Sequence, residues 1–153
     1  MSRLLVEQDA PRDWNSEQFE MGGWIDMSPF EQLVGLRILE AEKGRAVLTM
    51  PFTVKLAQGG GFLHGGAITT LADTAVAMAI KSLLPPGTMF GTTELSLRFL
   101  APVREGEVRA EARVTGPEGR SFHGEAVVAD SEGREVAMFH SVFRVARGQG
   151  LDD

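Results

Sequence analysis

Apolar and polar residues alternate along two stretches of the chain, residues 95–99 and residues 108–114. A period of two is typical of strands that bury one face of a sheet and expose the other. Glycine-containing turns separate the second stretch from two further strand-like segments, Ser121–Ala129 and Glu135–Val145. Because short turns join antiparallel neighbours, we expect this half of the chain to form consecutive hairpins.

The first third of the chain shows a helix start followed by a hairpin. The run SPFEQLVG, which begins at Ser28, has serine, proline and glutamate at the positions of a capping box and ends in glycine. It predicts a short helix over Pro29–Val34. Strands over Leu36–Ala41 and Arg45–Phe52 flank the turn sequence EKG.

One long helix is predicted between these two groups of strands. It begins at about Gly65 and continues to Leu84, where the sequence PPG ends it. Apolar residues lie on most sides of this helix, so a sheet on one side alone would leave apolar surface in water. We therefore predict an α+β fold in which a curved antiparallel sheet of five to six strands wraps around one long central helix.

Length and composition indicate one domain with two short extensions. The 153 residues are enough to bury a core, and 43% hydrophobic residues with 24% charged residues are typical of a globular protein. We interpret residues 1–23 as an N-terminal arm anchored by Trp14 and Trp24, residues 24–146 as the folded domain, and residues 147–153 as a disordered tail.

Charge and cysteine content exclude several classes of protein. A net charge of −6 and a pI near 5.1 argue against nucleic-acid binding, which needs a basic face. The absence of cysteine excludes disulfides, thiolate metal ligands and a cysteine nucleophile. Threonines and an aspartate interrupt the longest apolar region, and the N-terminus lacks the apolar core of a signal peptide, so we expect a cytoplasmic protein with no membrane span.

Asp73 is the one ionisable residue between Gly65 and Ile80. A carboxylate in such a run is costly unless another group holds it or a reaction uses it. It can be pinned by a threonine or a backbone donor and stabilise packing, as structural acids often are. The glycine-rich helix start about two and a half turns earlier favours a chemical role, because free amides there can polarise a carbonyl.

His64 directly precedes the helix and has no serine or cysteine set that would complete a triad. His123 and His140 lie on separate predicted strands, so no metal site is expected. We assign His64 a positioning role at the glycine loop. Gly65 and Gly66 either let a ligand approach the backbone closely or allow the helix to pack against a strand.

The run LHGGAITTLADTA, which begins at Leu63, resembles the acyl-CoA thioesterases of the hotdog fold, in the PaaI-like branch of the 4-hydroxybenzoyl-CoA thioesterase superfamily. In that family an HGG turn starts the central helix, and an acidic residue follows nine positions after the histidine, as Asp73 follows His64. The segments SPFEQLVGLRI, TTELSLRFLAPVREGEV, GRSFHGEAVVAD and EVAMFHSVFRV also fit. The resemblance covers roughly residues 24–146, which would be the thioesterase domain.

The resemblance implies hydrolysis of a small aryl or medium-chain acyl-CoA, with coenzyme A as part of the substrate and no cofactor. Asp73 would be the nucleophile or the base for water, and the amide of Gly65 would be the oxyanion donor. Thr92 from the partner chain would assist the water, with Thr93 as the alternative if the register differs by one. The family forms dimers that join sheet edge to sheet edge, with active sites at the interface, and these often pair into a homotetramer.

Further site residues follow from the resemblance. The family usually has an asparagine six residues before the histidine, whereas this chain has Gln58, which keeps the amide on a longer side chain. Arg98 and Arg120 would contact the phosphates of coenzyme A or would be solvated surface arginines. Arg104 is a third candidate cation. Phe30 would contact the acyl group.

Two other functions remain open from the sequence. A hotdog hydratase pairs a histidine with a carboxylate, but here His64 starts the same helix and no strand histidine is clearly aimed at Asp73. A non-catalytic acyl-CoA-binding or regulatory protein is favoured by Gln58 in place of asparagine. The presence of Asp73 favours hydrolysis, because a pure binder gains nothing from a buried charge.

Overall fold

The computed structural model describes residues 3–4 and 19–152 of the chain. Its strands are β1 (Arg3–Leu4), β2 (Phe19–Glu20), β3 (Arg37–Glu42), β4 (Arg45–Pro51), β5 (Phe90–Phe99), β6 (Glu107–Glu118), β7 (Ser121–Ala129) and β8 (Glu135–Val145). Its helices are α1 (Pro29–Leu33), a short 3-10 helix (Val54–Leu56) and α2 (Gly65–Lys81). None of the helices in the described ranges is long and apolar enough to cross a membrane.

Six strands form one antiparallel sheet in the order β3-β4-β6-β7-β8-β5. The helix α2 packs against every strand of this sheet. The strands β1 and β2 form a separate antiparallel pair within the predicted N-terminal arm. The six-stranded sheet around one long helix confirms the predicted fold class.

The helix α2 is buried along most of its length, as its apolar composition predicts. Ten of its 17 residues are buried, which requires contacts on more than one side of the helix. Gly124 of β7 allows the closest approach, because a Cβ atom there would lie 2.3 Å from Cγ1 of Val76. The glycine therefore brings the sheet against the middle of α2.

The helix starts agree with their sequence signals, whereas both helices end earlier than predicted, α1 by one residue at Leu33. The amide of Ser28 donates to Oε2 of Glu31 over 2.7 Å, as in a capping box. Gly35 follows α1 with a φ of 79°, which glycine adopts readily. The helix α2 ends at Lys81 rather than at the predicted Leu84, and the indole Nε1 of Trp24 donates to the Lys81 carbonyl over 2.8 Å.

Trp24 and Lys81 hold the segment before α1 against the end of α2. Besides the indole bond, Nζ of Lys81 donates to the Trp24 carbonyl over 3.1 Å and lies 4.8 Å from the centre of the Trp24 ring. Burial lowers the pKa of Lys81, and the charges of Glu31 and Asp26 oppose that shift. These contacts of Trp24 agree with the predicted anchoring role, whereas Trp14 lies outside the described residues.

The C-terminal tail differs from the expectation of disorder. Oε1 of Gln149 accepts a hydrogen bond from the Met89 amide over 3.0 Å, and the Met89 carbonyl accepts one from the Ala146 amide over 2.8 Å. The side chain of Leu151 packs against the core. The tail is therefore attached to the segment that leads into β5. Leu151 contributes to this attachment because its apolar side chain is partly buried against the core.

Among the strands in the described ranges, β5 forms one edge of the sheet and pairs with β8 alone. Apolar side chains of this strand are not fully covered, since Leu95 is 44% exposed and Phe99 is 54% exposed. Leu100, directly after the strand, is also exposed. This edge combines free backbone groups with apolar side chains, a pattern that favours pairing with another strand.

Candidate active site

The N-terminus of α2 presents one free amide. Nδ1 of His64 accepts a hydrogen bond from the Gly66 amide over 2.8 Å, and the His64 carbonyl accepts one from the Ala67 amide over 2.9 Å. Across the described ranges, the Gly65 amide has no hydrogen-bond partner. His64 thus satisfies the neighbouring donors and leaves the Gly65 amide for a ligand, which supports its predicted positioning role.

Two threonines hold the first turn of α2. The hydroxyl of Thr69 donates to the Gly65 carbonyl over 2.8 Å, and that of Thr70 donates to the Gly66 carbonyl over 2.9 Å. Both hydroxyls therefore bond back along the helix. Neither of them is the group that holds Asp73.

Asp73 lies half-buried on α2 and contacts one hydroxyl. Oγ1 of Thr92 lies 2.9 Å from Oδ1 and 3.2 Å from Oδ2 of Asp73. No cation forms an ion pair with Asp73 in the part of the chain that the structure describes. Burial raises the pKa of Asp73, and the Thr92 hydrogen bond partly offsets this rise because it favours the charged form. A partly buried carboxylate without a counter-charge is typical of a functional site.

The contact with Asp73 identifies which threonine of β5 belongs to the site. The hydroxyl of Thr93 donates to the Val142 carbonyl over 3.1 Å, so Thr92 is the one at the carboxylate. The resemblance implied a threonine from the partner chain, whereas this bond forms within one chain. Asp73 and Thr92 therefore form a unit that a single chain supplies.

This unit is separated from the Gly65 amide along α2. Asp73 lies eight positions after Gly65, which corresponds to about 12 Å of helix. A thioester carbonyl spans far less than that distance. The amide and the carboxylate of one chain therefore do not meet at one carbonyl group.

Phe99 contacts the helix start and was not among the residues predicted for the site. A Cβ atom on Gly65 would lie 3.0 Å from Cζ of Phe99, so the tip of the ring lies against the glycine. The alternation of residues 95–99 predicted that Phe99 points inward. Which part of α2 it meets depends on the path of β5, and the sequence does not reveal that path.

Gln58 bonds to its own loop. Its Oε1 accepts a hydrogen bond from the Gly60 amide, and its backbone amide donates to the Phe62 carbonyl over 2.8 Å. The side chain is thus folded over the glycine loop rather than bonded to Asp73 or to the start of α2. The longer side chain and the flexible glycines allow this local bond.

The arginines expected at coenzyme A occupy different environments. Arg120 is 8% exposed, and its Nη1 donates to the Val145 carbonyl over 2.8 Å, so it joins β7 to β8 instead of lying at the surface. Arg98 is exposed on β5, opposite Met138 of β8. Arg104 is exposed, and its guanidinium carbon lies 4.4 Å from the centre of the Phe62 ring. Phe62 is two residues before His64.

Two further predictions concern the acyl group and metals. Phe30 is 58% exposed on α1 and is not part of the core. Its contact with an acyl group stays a prediction. The described residues contain no group of three or more histidine, aspartate or glutamate side chains that could hold a metal ion.

Comparison with known proteins identifies the family. The sequence profile of the Thioesterase superfamily matches residues 60–137. A candidate esterase of Halobacterium salinarum is 33% identical over 135 residues, which cover 81% of this chain and 89% of that protein. A 1,4-dihydroxy-2-naphthoyl-CoA hydrolase of Listeria monocytogenes is 37% identical over 83 residues, which cover 54% of this chain and 67% of that protein.

A solved structure shows the same architecture. The E. coli PaaI protein from the phenylacetic acid degradation operon superposes with a TM-score of 0.72 at 25% identity, over 80% of this chain and 87% of that chain. The profile match covers the HGG turn, all of α2 and all of β5. The chain therefore belongs to the Thioesterase superfamily and is a thioester hydrolase with the hotdog fold of the PaaI-like branch.

Proposed function

We propose that this protein hydrolyses a small aryl or medium-chain acyl-CoA to the free acid and coenzyme A, with the Asp73 carboxylate as the reactive group. The observation that carries the proposal is a partly buried carboxylate with a raised pKa, one hydroxyl partner and no cation among the residues that the structure describes. The helix that bears it begins with a Gly65 amide that has no partner among the same residues. Coenzyme A is part of the substrate, and the proposal requires no cofactor.

These groups suffice for thioester hydrolysis because the substrate is already reactive. The carbonyl carbon is electrophilic and the coenzyme A thiolate is a good leaving group. In one route Asp73 attacks the carbonyl carbon, the thiolate leaves, and water hydrolyses the resulting anhydride. In the other route Asp73 removes a proton from water, the oxygen of that water attacks the carbonyl carbon, and the thiolate leaves with a proton.

In either route the carbonyl oxygen gains negative charge and is stabilised by a hydrogen-bond donor. The Gly65 amide at the positive end of the α2 dipole is suited to that role, and one such donor contributes about 100- to 1000-fold in rate. Thr92 donates to Asp73 and keeps the carboxylate charged and oriented. His64 keeps the Gly65 amide available by bonding the next one.

We further propose that two chains build each site. Because Gly65 and Asp73 of one chain are about 12 Å apart along the helix, one carbonyl needs the amide from one chain and the carboxylate from another. On β5, Thr92 contacts Asp73 and Phe99 contacts Gly65. Antiparallel pairing of two β5 edges with Thr92 opposite the partner subunit's Phe99 would bring Asp73 to the partner subunit's Gly65. A pairing of two such dimers into a tetramer stays a prediction.

The names of two related proteins support an aryl acyl group. The Listeria relative is named for hydrolysis of a naphthoyl-CoA, and the E. coli structure comes from a phenylacetic acid operon. A non-catalytic acyl-CoA-binding protein is the second candidate, favoured by the bond between Gln58 and its own loop. A hydratase is disfavoured, since among the described residues the side chain at Asp73 is the Thr92 hydroxyl and no histidine bonds the carboxylate.

The test measures thiol release from aryl and aliphatic acyl-CoAs by the wild type and by Asp73→Asn. We expect kcat/KM to fall by about 100- to 10,000-fold in this variant, because asparagine is neither a nucleophile nor a base. Asp152→Asn, an exposed change in the tail, is the matched control and should keep full activity. Binding of acyl-CoA without hydrolysis by the wild type would instead support the binding protein.

A further inference from the structure

We propose that Phe99 determines which acyl groups the enzyme accepts, by limiting the space at the carbon next to the thioester carbonyl. The inference rests on the proposed function, since it takes the Gly65 amide as the donor to the carbonyl oxygen. It assigns to Phe99 a specificity role that is separate from the bond-breaking chemistry of Asp73.

The ring of Phe99 lies within reach of a carbonyl bound at Gly65. Three ring atoms, Cζ, Cε1 and Cε2, lie 3.0, 3.4 and 3.7 Å from the position that a Cβ of Gly65 would take. An oxygen that accepts from the Gly65 amide lies about 2.9 Å from the nitrogen, and its carbon lies about 1.2 Å further. The carbonyl and its first substituents therefore come close to the ring edge.

The position of Phe99 indicates that it contacts the acyl side of the thioester. The residue lies at the inner face of β5, opposite Ala137, which is completely buried. The nucleotide of coenzyme A is large and charged, so it extends toward solvent. The acyl group therefore extends inward, toward the sheet and the ring of Phe99.

A ring at this place discriminates by shape at the first carbon of the acyl group. An unbranched methylene chain or a flat aryl group can lie along the ring. A methyl branch on the first carbon adds volume where the ring edge already approaches Gly65. One methyl group in a fitted pocket changes kcat/KM by about 10- to 200-fold.

The experiment compares matched pairs of substrates that differ by one methyl branch. The aliphatic pair is butanoyl-CoA and 2-methylpropanoyl-CoA, and the aryl pair is phenylacetyl-CoA and 2-phenylpropanoyl-CoA. We expect the wild type to prefer the unbranched member of each pair that it hydrolyses. In Phe99→Ala the preference, expressed as the ratio of kcat/KM values, should fall about tenfold or more. Phe99→Leu should give a kcat/KM ratio between those of the wild type and Phe99→Ala. This variant replaces Phe99→Ala in the test if the alanine variant does not fold.

Two controls are needed. One distinguishes the effect of the Phe99 ring from the loss of any aromatic residue nearby, and the other distinguishes a change in specificity from a change in assembly. Phe62→Ala removes the ring that stacks on Arg104 and should leave the ratio unchanged. Light scattering reports whether each Phe99 variant keeps the oligomeric state of the wild type. An unchanged ratio in an assembled Phe99 variant overturns the inference. Absence of hydrolysis of every thioester by the wild type overturns the proposed function itself.

Discussion

At the scale of single residues, Asp73 combines burial with one hydroxyl partner. Burial favours the protonated form of the carboxyl, whereas Thr92 favours the charged form. Together these two effects leave a carboxylate that is less solvated than that of a surface aspartate. Such a carboxylate is more reactive toward a carbonyl carbon or toward a proton of water. The hydroxyl therefore adjusts the pH range over which Asp73 is charged.

Removal of the Thr92 hydroxyl should shift the pH profile of hydrolysis. In the wild type kcat/KM should rise with pH as Asp73 loses its proton, with a midpoint above the ordinary aspartate range because burial raises its pKa. Thr92→Val removes the donor that lowers this pKa, so the midpoint should move to higher pH. Thr93→Val, whose hydroxyl bonds the Val142 carbonyl, is the control that should keep the wild-type midpoint. An unshifted midpoint in Thr92→Val would argue that Asp73 does not set the profile.

Candidate residues with distinctive chemistry can be recognised in the sequence, whereas those defined by contact cannot. Asp73 is conspicuous as the one charge in an apolar helix. The sequence predicts Arg120 as a phosphate contact or a solvated surface arginine, yet the fold buries this arginine and uses it for a backbone bond. Phe99 reads as an ordinary inward strand residue, because its neighbour Gly65 is 34 positions earlier in the chain.

At the scale of elements, the position of α2 over the sheet depends on the absence of a side chain at Gly124. Cγ1 of Val76 occupies the place where a Cβ of this residue would lie. Val76 is one turn after Asp73 on the same helix. The distance between helix and sheet at this point therefore also affects where the carboxylate lies relative to β5.

A methyl group at position 124 should separate the two elements. Gly124→Ala places a Cβ 2.3 Å from Cγ1 of Val76, and overpacking of this kind costs about 1–3 kcal/mol. We expect Tm to fall by several degrees, measured by calorimetry. Gly23→Ala is the control, since no atom lies within 4 Å of its Cβ position, and its Tm should stay the same or rise slightly. Equal Tm values for the two variants would contradict tight packing at Gly124.

The elements themselves could be predicted because their signals are local. Periodicity, capping residues and turns predict α1, α2 and five to six strands, but for β5 they indicate only residues 95–99 of the observed Phe90–Phe99. They place the end of α2 three residues too late, because the Trp24 indole that bonds the Lys81 carbonyl comes from a distant segment. They predict a disordered tail, because its attachment depends on contacts of Gln149 and Leu151 with distant residues.

At the scale of the whole molecule, the two edges of the sheet should differ in their importance for assembly. Leu95 on β5 and Leu39 on β3 are both exposed, at 44% and 57%. If β5 is the pairing edge, Leu95→Lys should give a monomer with little hydrolysis, because a charge there disfavours burial against a second chain. Leu39→Lys should keep both the oligomeric state and the activity. Light scattering and thiol release measure the two properties, and an active monomer would contradict a site built by two chains.

Mixed dimers test directly whether the site draws on two chains. Gly65→Pro removes the amide N–H at the first helical position, where proline is tolerated, provided that the Phe99 ring yields by a few tenths of an ångström. This variant and Asp73→Asn should each be inactive alone. In a mixture that exchanges subunits, about one site in four should regain both groups and hydrolyse acyl-CoA.

The control for the mixing experiment combines two variants that lack the same group. Asp73→Asn mixed with Asp73→Ala should stay inactive, since no combination of these chains restores a carboxylate. Native mass spectrometry shows whether mixed dimers have formed. Mixed dimers of Asp73→Asn and Gly65→Pro that remain inactive would contradict the proposed sharing of the site.

The exposed edge of β5 has a consequence for how the chain evolves. An unpaired strand edge with apolar side chains is a template for non-native association. The same strand holds Thr92 beside Asp73 and Phe99 beside Gly65. The pairing that we propose to complete the site would thus also cover this aggregation-prone edge. A mutation that weakens it would lower catalysis and solubility together, so natural selection for activity alone also preserves solubility.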